Sequence, residues 1–309
     1  MPVTRKQIRG MYKPFIIEAI RLEADVQAVL DEWEAENQKI VMKNATSSGV
    51  KNQQTLIREL LVAVAYFLSQ FGIVMDTGMA RISDVKAKQC LEESLPLLRM
   101  VQDDTAIRLF KNSLDAFKAE YKTNWKKIAI GVYALTFLDR QKGVAISTEK
   151  TIKNIVNLGV KKGYGAKELI EILKDYINPN TKAEKPFDIA RKALGASKDF
   201  RPKDVLAGSV QTNLYEITRN EAAELWRNMT ETVYRDADWV KGYRWELSHS
   251  HPAYDICDEF AEHGVYKKYE ERPYSHGHCL CDWVPELLTP KEMRELLEKQ
   301  ASLYNSNKK

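Results

Sequence analysis

The sequence predicts a mainly α-helical protein with an extended helical N-terminal half and a small C-terminal α+β module. Three observations carry this. Apolar residues recur at helical spacing through most of the first 240 positions, and short aromatic-rich alternating segments begin at Lys241. All five histidines and three of the four cysteines then fall within residues 249–281. At 309 residues, 44% hydrophobic and 29% charged, the chain is long enough for two domains and apolar enough to bury a core.

Taken in order, residues from Lys6 to about Ala45 read as one helix, with Ile16, Ile20, Val26 and Leu30 between charges and no breaker after Pro14. A polar loop, Thr46 to Gln54, is expected next, followed by a helix from Leu56 to Met75 that breaks at "DTG". Leu60 to Met75 holds 16 residues without a charge but includes Ser69 and Gln70. That is short of the ~20 needed to span a bilayer, so a buried helix and no membrane span are expected. Two further helices fill Val85 to Arg140, and Cys90, alone in the first of them, reads as core.

After "RQKGVAIS", read as a loop, Ser147 or Thr148 can cap a helix that "KKGYG" stops. "AKELIEILKDYI" puts Leu169, Leu173, Tyr176 and Ile177 on one face. Residues 178–203 carry three prolines, one glycine and seven Lys or Arg, which predicts a basic connector with one short helix, or else an arm lying on nucleic acid. The helix that follows carries Leu214, Ile217, Leu225, Met229 and Val233 on one stripe, with Glu221 in line. A carboxylate placed there must be paired or hydrogen-bonded. The reading is a structural ion pair, with Arg219, Arg244 or a backbone amide as partner; a catalytic carboxylate is the competing one.

From Lys241, "GYRWELS", "GVYKKYE" and "CDWVPEL" read as small strands. The domains expected are 1–140, 141–240 with the connector 178–203, a β-rich His/Cys module 241–290, and a tail 291–309. In that module "HGHCLC", residues 276–281, places two imidazoles and two thiols in six positions. Zinc prefers these ligands, and cysteines at i and i+2 of an extended segment leave the same face of the chain. A structural zinc site built from Cys257, His276, Cys279 and Cys281 is therefore expected, with His251 or His278 as rival ligands. The competing readings are three reduced thiols that are merely close, or a disulfide between Cys257 and Cys279.

Other chemistry is excluded by what is missing from the sequence. It has no phosphate-cradling Gly-rich loop, no GxSxG, no HExxH, and none of the HxE and PCxxC that zinc deaminases need. Four cysteines are too few for a disulfide scaffold, and "MPVTRKQIRG" holds no apolar stretch with a cleavage site, so a reducing cytosol is expected. The net charge of +4 is uneven. Residues 246–290 carry nine acids against three bases and the last nineteen residues are +2, which leaves +8 for residues 1–245. Affinity for nucleic acid, if any, belongs to that long N-terminal part.

"RWELSHSHPAYDICDEFAEHGVY" followed by "PYSHGHCLCDWVPEL" resembles the C-terminal signature of the phage Mu F-like head morphogenesis proteins, minor capsid proteins of tailed bacteriophages. The matching positions are Trp245, Ser248, His251, Asp255, Cys257, His276, Cys279, Cys281 and Pro285. "ITRNEAAELW" is similar to the family's Ala-Arg-Thr-Glu helix through Arg219 and Glu221, and "GVKKGYGAKELIEIL" to the segment before it. Gly277 stands where the family usually has proline, and Asn220 where it has threonine. The resemblance spans about 150 residues around Asn157 to Glu286. It implies a virion component assembled in the host cytoplasm and associated with the portal protein, with the major capsid protein as a further partner. It also implies a role in head assembly or DNA ejection, with binding of double-stranded DNA without sequence preference. A metal-dependent hydrolase or nuclease using Glu221, Asp255 and the cluster is the alternative; the first reading expects no enzyme.

Overall fold

The computed structural model describes residues 5–101, 104–127, 135–179, 209–248, 254–274 and 279–306. Among them are eight α-helices and a small C-terminal sheet of three strands, so the protein is mainly α with a small α+β module. Helix α1 spans Arg5–Asn44, followed by a two-stranded ribbon, β1 Ala45–Thr46 and β2 Gly49–Val50. Helices α2 Gln53–Met100 and α3 Asp104–Asn124 come next, then a 3-10 turn Trp125–Lys127. They are followed by α4 Phe137–Lys162, α5 Ala166–Ile177 and α6 Val210–Tyr234. The C-terminal part holds β3 Val240–Glu246, α7 Ile256–Glu262, β4 Val265–Lys267, β5 Asp282–Leu287 and α8 Pro290–Ser306. Residues fall into two compact units, Met1–Ile20 with Gly78–Ala134 and Arg219–Lys309, and Arg21–Thr77 with Leu135–Thr218. Neither is a single stretch of chain: α1, α2 and α6 each supply residues to both.

Among the described residues, the regular structure of the second of these is helical apart from the ribbon. Along α1, Leu22, Val26, Leu30, Trp33, Asn37, Val41 and Asn44 are buried at steps of four and three, the pattern of a helix with one core face. Leu56, Leu60, Val64, Phe67, Phe71 and Met75 do the same on α2. Lys43 pairs with Glu59 at 2.7 Å and Trp33 stacks on Phe67 at 4.3 Å, so one number falls as the other rises and the two helices run antiparallel. The buried amides Asn37 and Asn44 each donate to the carbonyl four residues back, and Asn44 also donates to Glu59 on α2 at 2.8 Å, while the Asn37 Oδ1 is buried without a hydrogen-bond partner among the described residues. Asn178, before the connector, accepts from Gln211 after it at 2.8 Å, and Gln27 accepts from both Gln211 and Tyr215. The rest of the connector, from residue 180, lies outside the described residues.

Two expected breaks are not breaks. The helix beginning at Gln53 runs through Asp76-Thr77-Gly78 to Met100, because the buried positions Phe71, Met75, Met79 and Ile82 continue at helical spacing across them. A helical glycine costs ~1 kcal/mol relative to alanine, less than burying one such side chain returns. The resulting helix is, by length and composition, long and apolar enough to cross a membrane, and 39% of its most apolar window is buried. "RQKGVAIS" is likewise helical. Thr136 caps α4, its hydroxyl accepting from the Asp139 amide while Asp139 accepts from the Thr136 amide, and Ser147 and Thr148 are buried in the helix interior. The expected stop at "KKGYG" is present: Gly163 adopts φ +70°, the left-handed conformation that ends helices.

The first unit contains the sheet, ordered β4-β3-β5 with both pairings antiparallel. Tyr243, Trp245 and Trp283 are buried, with Tyr243 stacked on Trp283 at 5.1 Å and Tyr266 edge-on to Trp283 at 5.0 Å. Gly242 is required where β4 crosses, since a Cβ there would collide with the Tyr266 carbonyl oxygen. Pro285 sits in the edge strand β5, where a missing N–H is tolerated. Residues expected as a tail form α8, whose Thr289 and Glu292 exchange capping hydrogen bonds and whose Met293 is buried.

Candidate metal centre

Cys257 lies in the first turn of α7, and Cys279 and Cys281 lie in the segment running into β5. The turn exists because Asp255 caps it: its carboxylate accepts from the Cys257 amide at 2.7 Å while Asp258 accepts from the Asp255 amide at 2.7 Å. This reciprocal Asp-x-x-Asp box was the signal for a helix where the sequence reading saw only an arm of the site. The sulfurs of Cys257, Cys279 and Cys281 lie within 4.8 Å of one another, with Cys257 Sγ and Cys279 Sγ 3.5 Å apart. All three are buried free thiols. Sulfurs around a tetrahedral zinc sit about 3.8 Å apart, so the donor set and its spacing suit a soft divalent ion.

The surroundings favour negative charge on sulfur. The Ser248 amide donates to Cys281 Sγ at 3.4 Å, and the Cys281 amide to Cys279 Sγ at 3.4 Å. Contacts from the Cys257 and Cys281 thiols pull the Cys279 thiol far down, helped by the positive Arg227. Cys257 is pushed up by its contacts with Cys279 and then Cys281, and by burial. At Cys281 the Cys257 contact lowers, but Cys279 and burial outweigh it and the net value is about 11. An ion bound by all three sulfurs would replace the thiol protons.

Arg227, on α6, holds the cysteine segment in place and was missed from sequence. It is 1% exposed, donates Nε to the Cys281 carbonyl at 2.9 Å and Nη2 to the Cys279 carbonyl at 3.0 Å, and lies over the Trp245 ring at 5.2 Å. Its Nη1 bonds Glu224, which Arg272 also reaches at 2.8 Å. Burial would raise the Glu224 carboxyl, but the two arginines outweigh it and hold it below its usual value. A readable signal existed: Arg227 shares a helical stripe with the buried Ala223, Thr230 and Tyr234, so the argument made for Glu221 applied to it as well.

Next to Cys281, fully buried Asp282 accepts from Trp226 Nε1 at 3.0 Å, and Lys86 Nζ lies 4.5 Å over the Trp226 ring. Burial raises Asp282 despite these partners. Tyr234 donates to Glu93 at 3.0 Å and to the Cys90 carbonyl at 3.1 Å. Burial likewise raises Glu93, and lifts the core thiol Cys90 to about 12. Glu221 is 1% exposed, in line with its place on the stripe. Arg244 pairs with Glu286 at 2.9 Å through its Nε. Arg219 is half-buried two residues before Glu221, about 200° round the helix from it. Of the histidines, His249, His251, His276 and His278 lie outside the described residues. His263 stacks on Tyr266 at 4.0 Å and is not among the converging donors.

Compared with family models, curated proteins and solved structures, the chain finds no match.

Proposed function

We propose that the chain is a minor head protein of a tailed phage or prophage, whose C-terminal module is pinned by a structural zinc on Cys257, Cys279, Cys281 and His276. The reading rests on the resemblance, and one observation supports it best. The positions that carry the resemblance are not scattered: three cysteines from two arms converge beside the Trp245 strand, against the helix that bears Arg219 and Glu221. Burial of all three sulfurs under Arg227 suits an ion that cross-links rather than one that meets substrate. When bound, zinc supplies folding free energy to a sheet too small to hold itself.

The role proposed is structural: docking on the portal protein and on the major capsid protein in the virion, without catalysis. The +8 carried by residues 1–245 would suit double-stranded DNA without sequence preference. Such binding would weaken steeply with salt and survive deletion of 246–309. The hydrolase alternative asks Asp255 to work on substrate, whereas it caps α7.

The test is quantitative mass spectrometry of heads purified from the host that carries the gene. This chain should be present in few copies and be captured with the portal protein. Heads that lack it, at every stage of assembly, overturn the proposal.

A further inference from the structure

We propose that the groove between α1 and α2 in the helical unit binds a second copy of this chain, docked two-fold with the hairpins antiparallel. The groove is a cavity of about 870 Å³ lined by α1 from Val29 to Lys43 and α2 from Arg58 to Gln70. Its floor is apolar, with Trp33 stacked on Phe67 beside Ala63 and Ile40. Val62 and Tyr66, one turn apart on α2, line it and are 65% and 66% exposed. Large apolar side chains standing exposed around a concave floor mark a surface built to be covered.

The rim says by what. At the ribbon end it carries Lys39, Lys43 and Arg58 against Glu59; at the far end it carries Glu32 and Glu36. Lys39 pairs with Glu36 at 3.3 Å and Lys43 with Glu59 at 2.7 Å along the rim, and with Arg58 exposed at the ribbon end and Glu32 exposed at the far end the net polarity still faces the solvent. A surface basic at one end and acidic at the other is complementary to itself when turned by a two-fold axis across its length. In a two-fold contact the same patch serves both partners, so each basic end meets the other copy's acidic end. Two antiparallel hairpins joined this way make a four-helix bundle, with Val62 and Tyr66 of each copy entering the other's groove. A lipid surface would have to take up those flanking charges along with the apolar floor. The contact is only roughly 20 Å long, 15 residues of helix, which points to a dimer that dissociates at about micromolar concentration.

Sedimentation equilibrium of the full chain tests this, from nanomolar to hundred-micromolar concentration. The native protein should dimerise, and Tyr66→Lys should raise the dissociation constant at least about tenfold without lowering the melting temperature, since Tyr66 is exposed. The sharper arm uses two variants of one sign, Glu32→Lys/Glu36→Lys and Lys39→Glu/Arg58→Glu. Each should be monomeric alone, and the two should associate one-to-one on mixing, a result that misfolding cannot imitate. A native chain that stays monomeric throughout overturns the proposal. So does a dimer indifferent to these substitutions, or flotation of a monomeric chain with phosphatidylglycerol vesicles in a Tyr66-dependent way.

Discussion

The mainly helical unit and the unit holding the three-stranded sheet solve the same problem with opposite chemistry. Between α1, α2 and α4 the buried side chains are mostly aliphatic and aromatic, and the buried amides Asn37 and Asn44 each donate to a carbonyl of their own helix. Around β3 and β5 the interior instead holds Arg227, Lys86, Glu221, Asp282 and three thiols. The difference follows from the amount of apolar surface available. Long amphipathic helices bury enough to be stable by packing, whereas a sheet of strands 7, 3 and 6 residues long does not. Packing tolerates graded loss, but a buried charged network fails when one member leaves, because the others stay buried without partners.

Metal removal should separate the two units most clearly. Protein purified without chelator should carry zinc near one per chain by elemental analysis. Chelation, Cys281→Ser or His276→Ala should loosen residues 245–285 by several kcal/mol while hydrogen exchange in α4 and α5 stays unchanged. A ratio near zero with the module still ordered leaves only the reduced-thiol reading.

Arg227→Met should cost about 3–5 kcal/mol in urea unfolding, since it strips the Cys279 and Cys281 carbonyls and Glu224 of a shared donor. Glu221→Ala should cost on the order of 3 kcal/mol for the same reason. An unchanged melting curve for either would mean that its site relaxes freely. Leu30→Ala in the helical unit should cost about 2–5 kcal/mol through a cavity alone, with no dependence on zinc.

Glu246 gives a pH-dependent contrast. Burial first, then the facing Asp282 charge, raises its carboxyl from 4.5 to about 7 in the folded chain. The folded state holds that proton more tightly, so the contribution is fully present below pH 4.5 and is lost as pH rises to 7. Glu246→Gln should therefore match the native protein at pH 4 and exceed it at pH 8 by about 1–2 kcal/mol, a figure reduced for partial exposure. Equal urea midpoints at pH 8 would remove the effect. Smallest is Thr136→Ala, expected to cost about 1 kcal/mol at the α4 cap, read as a shift of the urea midpoint at constant slope.

What the sequence determined by itself was everything set by local periodicity and local chemistry. The stripe of α6 with Glu221 in it, the face of α5, the stop at Gly163, the three strand segments and the pairing of Cys279 with Cys281 could all be read, because each depends on residues within a few positions. Tertiary structure decided where locally weak signals were overruled. "DTG" and "RQKGVAIS" carry breaker penalties of about 1 kcal/mol, and burial of Met75 and Met79, or of Val144 and Ile152, exceeds them. It also decided which distant groups meet. Cys257, which composition named as a candidate, is brought to Cys279 across 22 positions, and Arg227, which it did not name, reaches the same segment across more than 50. No spacing rule fixes such pairs, because they arise only when α6, α7 and β5 pack around one small interior and each buried charge must find whatever polar group that packing brings beside it.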